Sequence, residues 1–273
     1  MLLFPNAKIN AGLHIIRKRQ DGYHDLETLF LPIGLNDILE FLPQKDVSEG
    51  FSLTLTGTTF LCPTKENICY KAWALLEKEY NLPPLKIHLH KNIPNGAGLG
   101  GGSSDAAFLL KGLNSYFNLN IPDDRLIEYA ARLGSDCAFF IRNIPSLATG
   151  RGEILQQVTI KPSCRHIAIV KPPASVSTTE AYSLVKPAVP KKSIREIIKL
   201  PVERWKQQLV NDFEVSVFAA HPELKELKET LYNSGASYAA MSGSGSAIYG
   251  IFRQPPALPQ LPDDYFVWKG MLK

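Results

Sequence analysis

The clearest structural pattern in the chain lies in residues 85–113, LKIHLHKNIPNGAGLGGGSSDAAFLLKGL. Apolar and polar residues alternate at its start, a pattern typical of a half-buried strand. Five of the chain's 19 glycines follow between residues 96 and 102, and then apolar residues at helical spacing, with Ser103 and Ser104 as expected N-cap residues. Glycines let backbone N–H groups surround an anion, and a helix N-terminus adds unpaired donors. This order of strand, glycine loop and helix predicts a polyphosphate site in preference to a structural turn.

The common phosphate-binding motifs do not describe this loop. The Walker pattern G-x-x-x-x-G-K-[ST] is absent from it. Gly96, Gly98 and Gly101 satisfy G-x-G-x-x-G, but a dinucleotide-binding loop also needs an acidic residue about 20 positions later, at the end of a second strand. Asp123 and Asp124 stand near that distance, yet they follow a proline and begin a predicted helix. The loop therefore fits neither common class.

Composition is that of an ordinary globular enzyme. The 273 residues include 30 basic and 26 acidic side chains, and the net charge of +4 is too small to indicate nucleic acid but suits an anionic substrate. The four cysteines lack metal-binding spacing, which favours buried reduced thiols. Because polar residues such as Asn6 and Lys8 interrupt the N-terminal apolar residues, no signal peptide or membrane span is predicted, and we expect a cytoplasmic protein.

Period-two alternation marks an N-terminal strand at residues 7–16. Its alternate apolar residues should face a core, so that Lys8 and Asn10 project from the opposite face, for which solvent exposure is the ordinary alternative. An Asp-Gly hairpin turn then leads into Tyr23 and His24. Further strands are expected at 26–31, 37–41, 51–56 and 166–170 and as a hairpin within 236–252, and helices at 67–80, 123–133, 202–220 and 222–232.

Two other segments are candidates for function. Asp136 lies between the helix stop at Gly134 and the apolar residues 137–141, a position that partly removes a carboxylate from water. A helix cap or turn is an equally good interpretation of this residue taken alone. The Ser-Gly repeat at 242–246 is a possible anion-binding turn, and a tight hairpin is the equal alternative.

Three separated segments together resemble the GHMP kinases (galactokinase, homoserine kinase, mevalonate kinase and phosphomevalonate kinase). They are the strand that carries Lys8, the loop at residues 94–104 with the pattern P-x-x-x-G-L-G-(G-G)-S-S, and the turn at 242–246. The segments 5–10, 21–24, 133–136 and 211–214 most resemble the branch of that family whose substrate carries a cytidine diphosphate, so the similarity spans nearly the whole chain.

The resemblance implies an α/β (α+β) chain with the two-domain GHMP kinase fold. The N-terminal domain would be similar to the second domain of ribosomal protein S5 and the C-terminal domain would be ferredoxin-like. The sequence offers no clear linker, and we place the boundary so that the domains are residues 1–158 and 159–273.

The resemblance also implies roles for individual residues in an ATP-dependent phosphorylation. Asp136 would accept the proton of the substrate's hydroxyl group and Lys8 would assist it, with a structural ion pair as the alternative. The expected ATP-binding residues are Pro94, Asn95, Gly96, Ala97, Gly98, Leu99, Gly100, Gly101, Gly102, Ser103, Ser104, Lys91 and Asn67. The phosphate-proximal turn would contribute Ser242, Gly243, Ser244 and Gly245.

The second substrate would be held by a separate set of residues: Asn10, Tyr23, His24, Thr178 and Tyr182. His24 would hydrogen-bond the cytosine, and the two tyrosines would stack on its faces, with half-buried packing as their alternative role. We expect ATP with Mg²⁺, without a dedicated protein ligand for the ion, and either Ser103 or Ser104 facing it. Asp105 must then point away from the phosphates or act through a cation.

Other functions remain as alternatives. The nearest is a GHMP kinase for another small alcohol, such as homoserine or mevalonate, which the Tyr23–His24 pair disfavours because those substrates have no base to stack. An RNA-binding use of the S5-like half is disfavoured by the weak positive charge, and a catalytically inactive sensor by the presence of Lys8 and Asp136. The expected partners are small molecules, with no nucleic acid or membrane, and the expected state is a monomer or weak homodimer.

Overall fold

The computed structural model describes residues 1–44, 50–58, 62–160 and 164–273, without the side chains of residues 183 and 184. The strands, in chain order, are β1 (Leu2–Leu3), β2 (Asn6–Lys18), β3 (His24–Asn36), β4 (Ile38–Pro43), β5 (Phe51–Gly57), β6 (Leu85–Lys91), β7 (Ser146–Thr149), β8 (Ile154–Gln157), β9 (His166–Lys171), β10 (Tyr238–Met241), β11 (Ile248–Phe252) and β12 (Phe266–Met271). The α-helices are α1 (Ile68–Tyr80), α2 (Gly101–Tyr116), α3 (Asp123–Leu133), α4 (Cys137–Arg142), α5 (Thr178–Leu184), α6 (Ile194–Ile197), α7 (Phe213–Ala220) and α8 (Pro222–Asn233). The expected mixture of helices and strands is confirmed. None of the helices in these ranges has the length and apolar character that crossing a membrane requires.

The chain forms two compact units, and neither is a continuous stretch of sequence. The first unit comprises residues 1–7, 35–95 and 100–143, and the second comprises residues 8–34, 96–99 and 144–273. These units are assembled from separate segments and do not test a boundary placed at one point of the sequence. The domain boundary between residues 158 and 159 stays a prediction.

The first unit combines a four-stranded sheet with helices α1 to α4. The strand order is β1-β4-β6-β5, with β4 antiparallel and β5 parallel to β6. In β6, Leu85, Ile87 and Leu89 are buried and the residues between them are exposed or half-buried, which confirms the predicted alternation. The apolar residues of α2 that were predicted from helical spacing are likewise buried: Ala106, Ala107, Leu109, Leu110 and Leu113.

Helix α2 begins three or four residues earlier than an N-cap at Ser103 or Ser104 would place it. Its first residue is Gly101 and its N-cap is Gly100, whose left-handed backbone (φ +71°) turns the chain into the helix without a side-chain cap. The prediction that Ser103 or Ser104 caps the helix is wrong, because both serines lie inside its first turn and the Ser104 N–H donates to the Gly100 carbonyl at 2.9 Å. The glycines thus continue into the helix, which brings the first free helical N–H groups next to the loop.

The second unit contains two four-stranded sheets. One has the order β10-β11-β9-β12 and is antiparallel throughout; the other, β2-β3-β7-β8, belongs to this unit apart from the end residues of β2 and β3. Helices α7 and α8 cover the first of these sheets through a core that includes Phe213, Leu224 and Met241. The expected hairpin is confirmed, since β10 and β11 pair across residues 242–247.

The helix predicted over residues 202–220 is interrupted. A short 3₁₀ turn at Val202–Arg204 is followed by irregular chain, and α7 starts only at Phe213. The backbone at Asn211 forms a bridge to Leu13 of β2, and the Asp212 N–H donates to the Leu13 carbonyl at 2.8 Å. Bonds of this kind to a distant strand replace the helical ones, and apolar periodicity in the sequence cannot reveal them.

Candidate active site

Lys8 and Asn10 lie side by side on β2 in the second unit. Their side chains point the same way, as the alternation predicted, and the Lys8 Nζ donates to the Asn10 Oδ1 at 2.5 Å and to the Gly98 carbonyl at 2.9 Å. Only 2% of Lys8 and 3% of Asn10 is exposed, so the alternative of a solvent-exposed face is wrong. A buried ammonium group is costly unless oxygen atoms surround it, which these contacts provide.

Asn10 is held in place by several further hydrogen bonds. Its Nδ2 donates to the Thr28 Oγ1 at 3.0 Å, and that hydroxyl donates in turn to the Gly12 carbonyl at 2.6 Å. The Asn10 carbonyl accepts from the Tyr249 hydroxyl at 2.8 Å. The amide of Asn10 therefore cannot rotate freely, and its Oδ1 stays directed at Lys8. Thr28 was not recognised from the sequence, because a threonine within a strand carries no distinguishing pattern.

The middle of the glycine loop packs directly on the Ser-Gly turn. The Gly98 carbonyl accepts a hydrogen bond from the Ser242 Oγ at 2.8 Å, and Ser242 also accepts from the Asn10 N–H at 3.2 Å. A Cβ at Gly98 would lie 1.8 Å from the Ser242 carbonyl oxygen, and the backbone there has φ +73°. Glycine is therefore required at this position both for its backbone conformation and for the closeness of approach. The structure brings together the loop, the turn and Lys8, which the sequence linked only by resemblance.

Asn211 and Glu214 support the turn from the side of α7. The Asn211 Nδ2 donates to the carbonyls of Met241 and Gly243 at 2.9 and 2.8 Å. The Glu214 carboxylate accepts from the Met241 N–H at 2.8 Å and from the Lys228 Nζ at 2.6 Å, and burial raises the pKa of this glutamate. In the sequence both residues belong to the segment 211–214, whose resemblance to the family does not predict that they act on the turn.

His24 and Tyr182 form an aromatic pair in the second unit. Their ring centroids are 4.9 Å apart with an angle of 26° between the planes, and Tyr182 meets Phe213 edge-on at 4.8 Å. Burial, helped by the charge of Lys18, lowers the pKa of His24, so that a neutral imidazole is favoured at neutral pH. A neutral ring has one donor and one acceptor nitrogen, the combination that a nucleobase edge can use.

Tyr23 and Thr178 complete the predicted residues in this unit. Tyr23 is 57% exposed, and the Arg151 guanidinium lies 4.7 Å from the centroid of its ring. Half-buried packing therefore does not describe Tyr23. The Thr178 Oγ1 lies 3.4 Å from the Ser244 Oγ, which connects the start of α5 to the Ser-Gly turn.

In the first unit, Lys91 lies between two buried carboxylates. Its Nζ donates to the Asp105 Oδ2 at 2.6 Å and to Asp37, and all three side chains are at most 5% exposed. Asp37 also accepts from the N–H groups of Asn92 and Ile93 at 2.7 and 2.8 Å. Asp105 is thus directed at Lys91. The ATP-binding role of Lys91 stays a prediction, and its observed contacts hold together the end of β6 and the start of α2.

Asp136 and Asn67, also in the first unit, differ in what their side chains do. Asp136 is half-buried and precedes α4, but its side chain makes no capping hydrogen bond, which argues against the helix-cap interpretation. Asn67 caps α1, since its Oδ1 accepts from the Cys69 N–H at 2.9 Å. The expected roles of Asp136 in catalysis and of Asn67 near ATP stay predictions.

The residues described show no preformed metal centre. Within residues 1–44, 50–58, 62–160 and 164–273, no three His, Cys, Asp or Glu side chains are arranged to hold a metal ion. The Oγ of Ser104 is buried and has no hydrogen-bond partner in these ranges. Which of Ser103 and Ser104 would face an ion stays open.

Comparison with known proteins agrees with this geometry. The family model for the N-terminal domain of GHMP kinases matches residues 67–143, and the model for their C-terminal domain matches residues 185–263. A 4-diphosphocytidyl-2-C-methyl-D-erythritol kinase from Bacteroides thetaiotaomicron is 50% identical over 274 aligned residues, which cover 100% of both chains.

Solved structures give the same result. A crystal structure of 4-(cytidine 5′-diphospho)-2C-methyl-D-erythritol kinase superposes with a TM-score of 0.80 at 32% identity, covering 100% of this chain and 99% of the other. A homoserine kinase from Cytophaga hutchinsonii reaches a TM-score of 0.71 at 14% identity, over 98% and 95% of the two chains, a likeness of fold alone. The predicted two-domain GHMP kinase fold is confirmed. The chain therefore belongs to the 4-diphosphocytidyl-2-C-methyl-D-erythritol kinase family of GHMP kinases and is a small-molecule kinase.

Proposed function

We propose that this protein transfers the γ-phosphoryl group of ATP to the 2-hydroxyl of 4-diphosphocytidyl-2-C-methyl-D-erythritol, a step of the methylerythritol phosphate route to isoprenoid precursors. The observation that carries the substrate assignment is the 50% identity, over the full length of both chains, with a relative of that name. The local geometry described above supports the proposal at each of the three parts that the reaction needs.

The first part is a place for the ATP phosphates. A Cβ placed on Gly96 would meet no atom within 4 Å, so the loop leaves open space beside its backbone. Helix α2 begins at Gly101 without a side-chain cap. Uncapped N–H groups at a helix N-terminus favour an anion, and the macrodipole adds to the attraction. These features fit a polyphosphate, which residues 96–104 would bind through backbone donors.

The second part is Mg²⁺, which accompanies ATP in phosphoryl transfer and offsets its negative charge. Asp105 does not offer it a free carboxylate, because Lys91 contacts Asp105 at 2.6 Å in a buried setting. Ser103 and Ser104 in the first turn of α2 are the protein groups of this segment that would suit a hard cation through oxygen. The ion would otherwise be held by phosphate oxygens and water.

The third part is the pair of residues that acts on the substrate hydroxyl. Asp136 would accept the proton as the hydroxyl oxygen attacks the γ-phosphorus, and its half-buried position at the start of α4 supports this role. Lys8 would direct the hydroxyl and offset negative charge as the bond forms. Its contact with the carbonyl of Gly98 supports that role, because it ties the ammonium group to the loop. Phosphoryl transfer depends mainly on such alignment and charge compensation.

Recognition of the cytidine would rest on His24, Tyr23 and Tyr182. The neutral imidazole of His24 can exchange hydrogen bonds with the edge of cytosine, and exposed Tyr23 offers a face for stacking. Tyr182 lies against His24 and would contribute a second aromatic surface.

A comparison of substrates tests the proposal directly. The purified protein with ATP and Mg²⁺ should phosphorylate the cytidyl substrate with a kcat/KM at least about 100-fold above that for homoserine or mevalonate, because neither offers a base to bind. Phosphorus NMR of the product should show a new phosphomonoester on a tertiary carbon. Preference for homoserine or mevalonate would instead establish the alternative GHMP activity.

A further inference from the structure

The second unit contains a cleft of about 710 Å³ that the proposed chemistry does not use. Its wall is formed by part of β2, the chain from residue 185 to residue 192, α6 and the chain from residue 207 to residue 216. This volume is within the range of sites that hold small organic molecules. None of the residues assigned above to ATP or to the cytidyl substrate lines the cleft.

One side of the cleft is apolar and open to solvent. Val215 is 84% exposed and Val210 is 42% exposed, and Ile197 continues the apolar surface into the interior. These valines offer apolar surface that the hydrocarbon part of a ligand can cover, and burying such surface is favourable.

The rim is positively charged. Lys186, Lys191 and Lys192 line the cleft, against a single acidic residue, Asp212. That carboxylate is already engaged, since its Oδ2 accepts from the Ile15 N–H at 2.8 Å. The cleft therefore presents a net positive charge to a ligand.

His14 is the buried polar group of the wall. It is 5% exposed, and its Nδ1 lies 3.2 Å from the Asp212 Oδ1. Because an ionised carboxylate only accepts, this contact places the hydrogen on Nδ1. The Nε2 is buried and has no partner among the residues described. With its hydrogen on Nδ1 and its Nε2 covered by the protein, the ring forms part of the wall without donating a hydrogen bond to a bound anion.

We propose that the cleft binds an amphipathic organic anion, with its phosphate or carboxylate head among the three lysines and its short apolar chain along Val210 and Val215. Asp212 separates Asn211, which holds the Ser-Gly turn, from Phe213, which packs on Tyr182. A ligand bound in the cleft beside Asp212 would therefore act on both Asn211 and Phe213. The proposal does not rest on the substrate assigned above.

Displacement of a fluorescent amphipathic anion, anilinonaphthalene sulfonate, tests the site in the full chain with saturating ATP and Mg²⁺ present. Hexyl phosphate and hexanoate should displace the probe at concentrations at least about 10-fold lower than inorganic phosphate or 1-hexanol, because only they combine charge with an apolar chain. Whichever of the two displaces more strongly identifies the head group. Equal potency of inorganic phosphate and hexyl phosphate would overturn the proposal.

Two further measurements locate the binding. The double variant Lys191→Gln with Lys192→Gln should lower the affinity for hexyl phosphate about threefold or more. Lys199→Gln, at an exposed lysine outside the cleft, should leave that affinity unchanged. In ¹⁵N spectra of the imidazole side chains, hexyl phosphate should shift His14 and not His166 of β9. An unmoved His14 signal, or an equal loss in the Lys199→Gln control, would place the binding elsewhere and refute the proposal.

Discussion

Lys8 is the residue whose surroundings differ most from what its chemistry alone would favour. An isolated lysine on a strand normally keeps its ammonium group in water, because burying an unpaired charge is very costly. Here 2% of the residue is exposed, and its Nζ contacts the oxygens of Asn10 and Gly98. A protein that retains a lysine in such a place has a use for the charge, and the use we propose is the stabilisation of phosphoryl transfer.

The residue that should matter most for turnover is Asp136. Asp136→Asn keeps the size of the side chain but cannot accept a proton, so we expect kcat to fall by about 10²- to 10⁴-fold while ATP affinity changes little. Steady-state kinetics and ATP titration by calorimetry measure the two effects. Asp263→Asn, at an exposed aspartate near the C-terminus, is the matched control and should behave as the wild type. Undiminished turnover of Asp136→Asn would eliminate its role as the base.

His24 should govern the choice of substrate. His24→Ala removes both ring nitrogens, so we expect the KM for the cytidyl substrate to rise about 10-fold, the loss of one to two hydrogen bonds, while the KM for ATP stays within about twofold. His24→Phe keeps an aromatic ring against Tyr182 but has no ring nitrogen. Compared with His24→Ala, it should recover the stacking without recovering the affinity for the cytidyl substrate. Equal losses for both substrates would contradict the assignment of His24 to the cytosine.

At the scale of elements, the glycine loop and the Ser-Gly turn act as one packed feature. Gly98 and Gly96 both have left-handed backbones, at φ +73° and +60°, but only the Cβ of an alanine at 98 would overlap another backbone. Any non-glycine residue in this conformation costs about 1–2 kcal/mol, and the overlap with Ser242 comes in addition. Alanine at either position would have the same backbone strain, but only alanine at position 98 would also collide with Ser242. Comparing the two variants therefore isolates the effect of the collision.

We expect Gly98→Ala to lower the free energy of unfolding by at least about 2 kcal/mol more than Gly96→Ala, because a backbone oxygen 1.8 Å away must move. It should also abolish kinase turnover, since the loop carbonyl that contacts Lys8 would be displaced. Chemical denaturation of both variants and their kcat values provide the comparison. Similar stabilities for the two variants would mean that the Ser-Gly turn can move away from residue 98 without a loss of stability, which would contradict the prediction.

For the whole molecule, the buried group of Asp37, Lys91 and Asp105 should determine part of the pH dependence of stability. Burial, reinforced by Asp37, raises the pKa of Asp105 well above its ordinary value although Lys91 opposes the shift. The two carboxylates raise the pKa of Lys91 despite its burial. The folded protein thus binds more protons at Asp105 than the unfolded chain does. The contribution of protonated Asp105 to stability is complete below the pKa of an aspartate in the unfolded chain, near 4. It is lost as the pH rises through the pKa of Asp105 in the folded protein.

Asp105→Asn should therefore flatten the fall in melting temperature as the pH rises above about 4, because the asparagine cannot ionise and leaves Lys91 paired with Asp37. The slope that one such group can contribute is at most about 1.4 kcal/mol per pH unit. Thermal melts across this range measure it, with Asp263→Asn as the control. Buried Glu214, whose pKa burial also raises, should supply the part of the slope that remains. A variant with the same slope as the wild type would show that Asp105 is ionised throughout.

The predictions that succeeded from the sequence depend on local pattern. Alternation located β6 and the paired direction of Lys8 and Asn10, and the run of glycines located the loop. The start of α2 was missed because a glycine N-cap leaves no side-chain signal, and the break before α7 was missed because its backbone bonds to β2. Asp37 was missed because an aspartate at the start of a strand is unremarkable until its partner is known.

The elements, the family and the glycines that allow a close approach can be predicted without a structure, since they follow from neighbouring residues and backbone freedom. Which groups meet depends on the folded chain. Gly98 and Ser242 are 144 positions apart and Lys91 and Asp37 are 54 apart, and no local pattern pairs residues across such separations. The physical reason is that burial decides these partners. Once the fold removes Lys8, Lys91 and their acceptors from water, each polar group must find another, and the packed chain dictates which one is within reach.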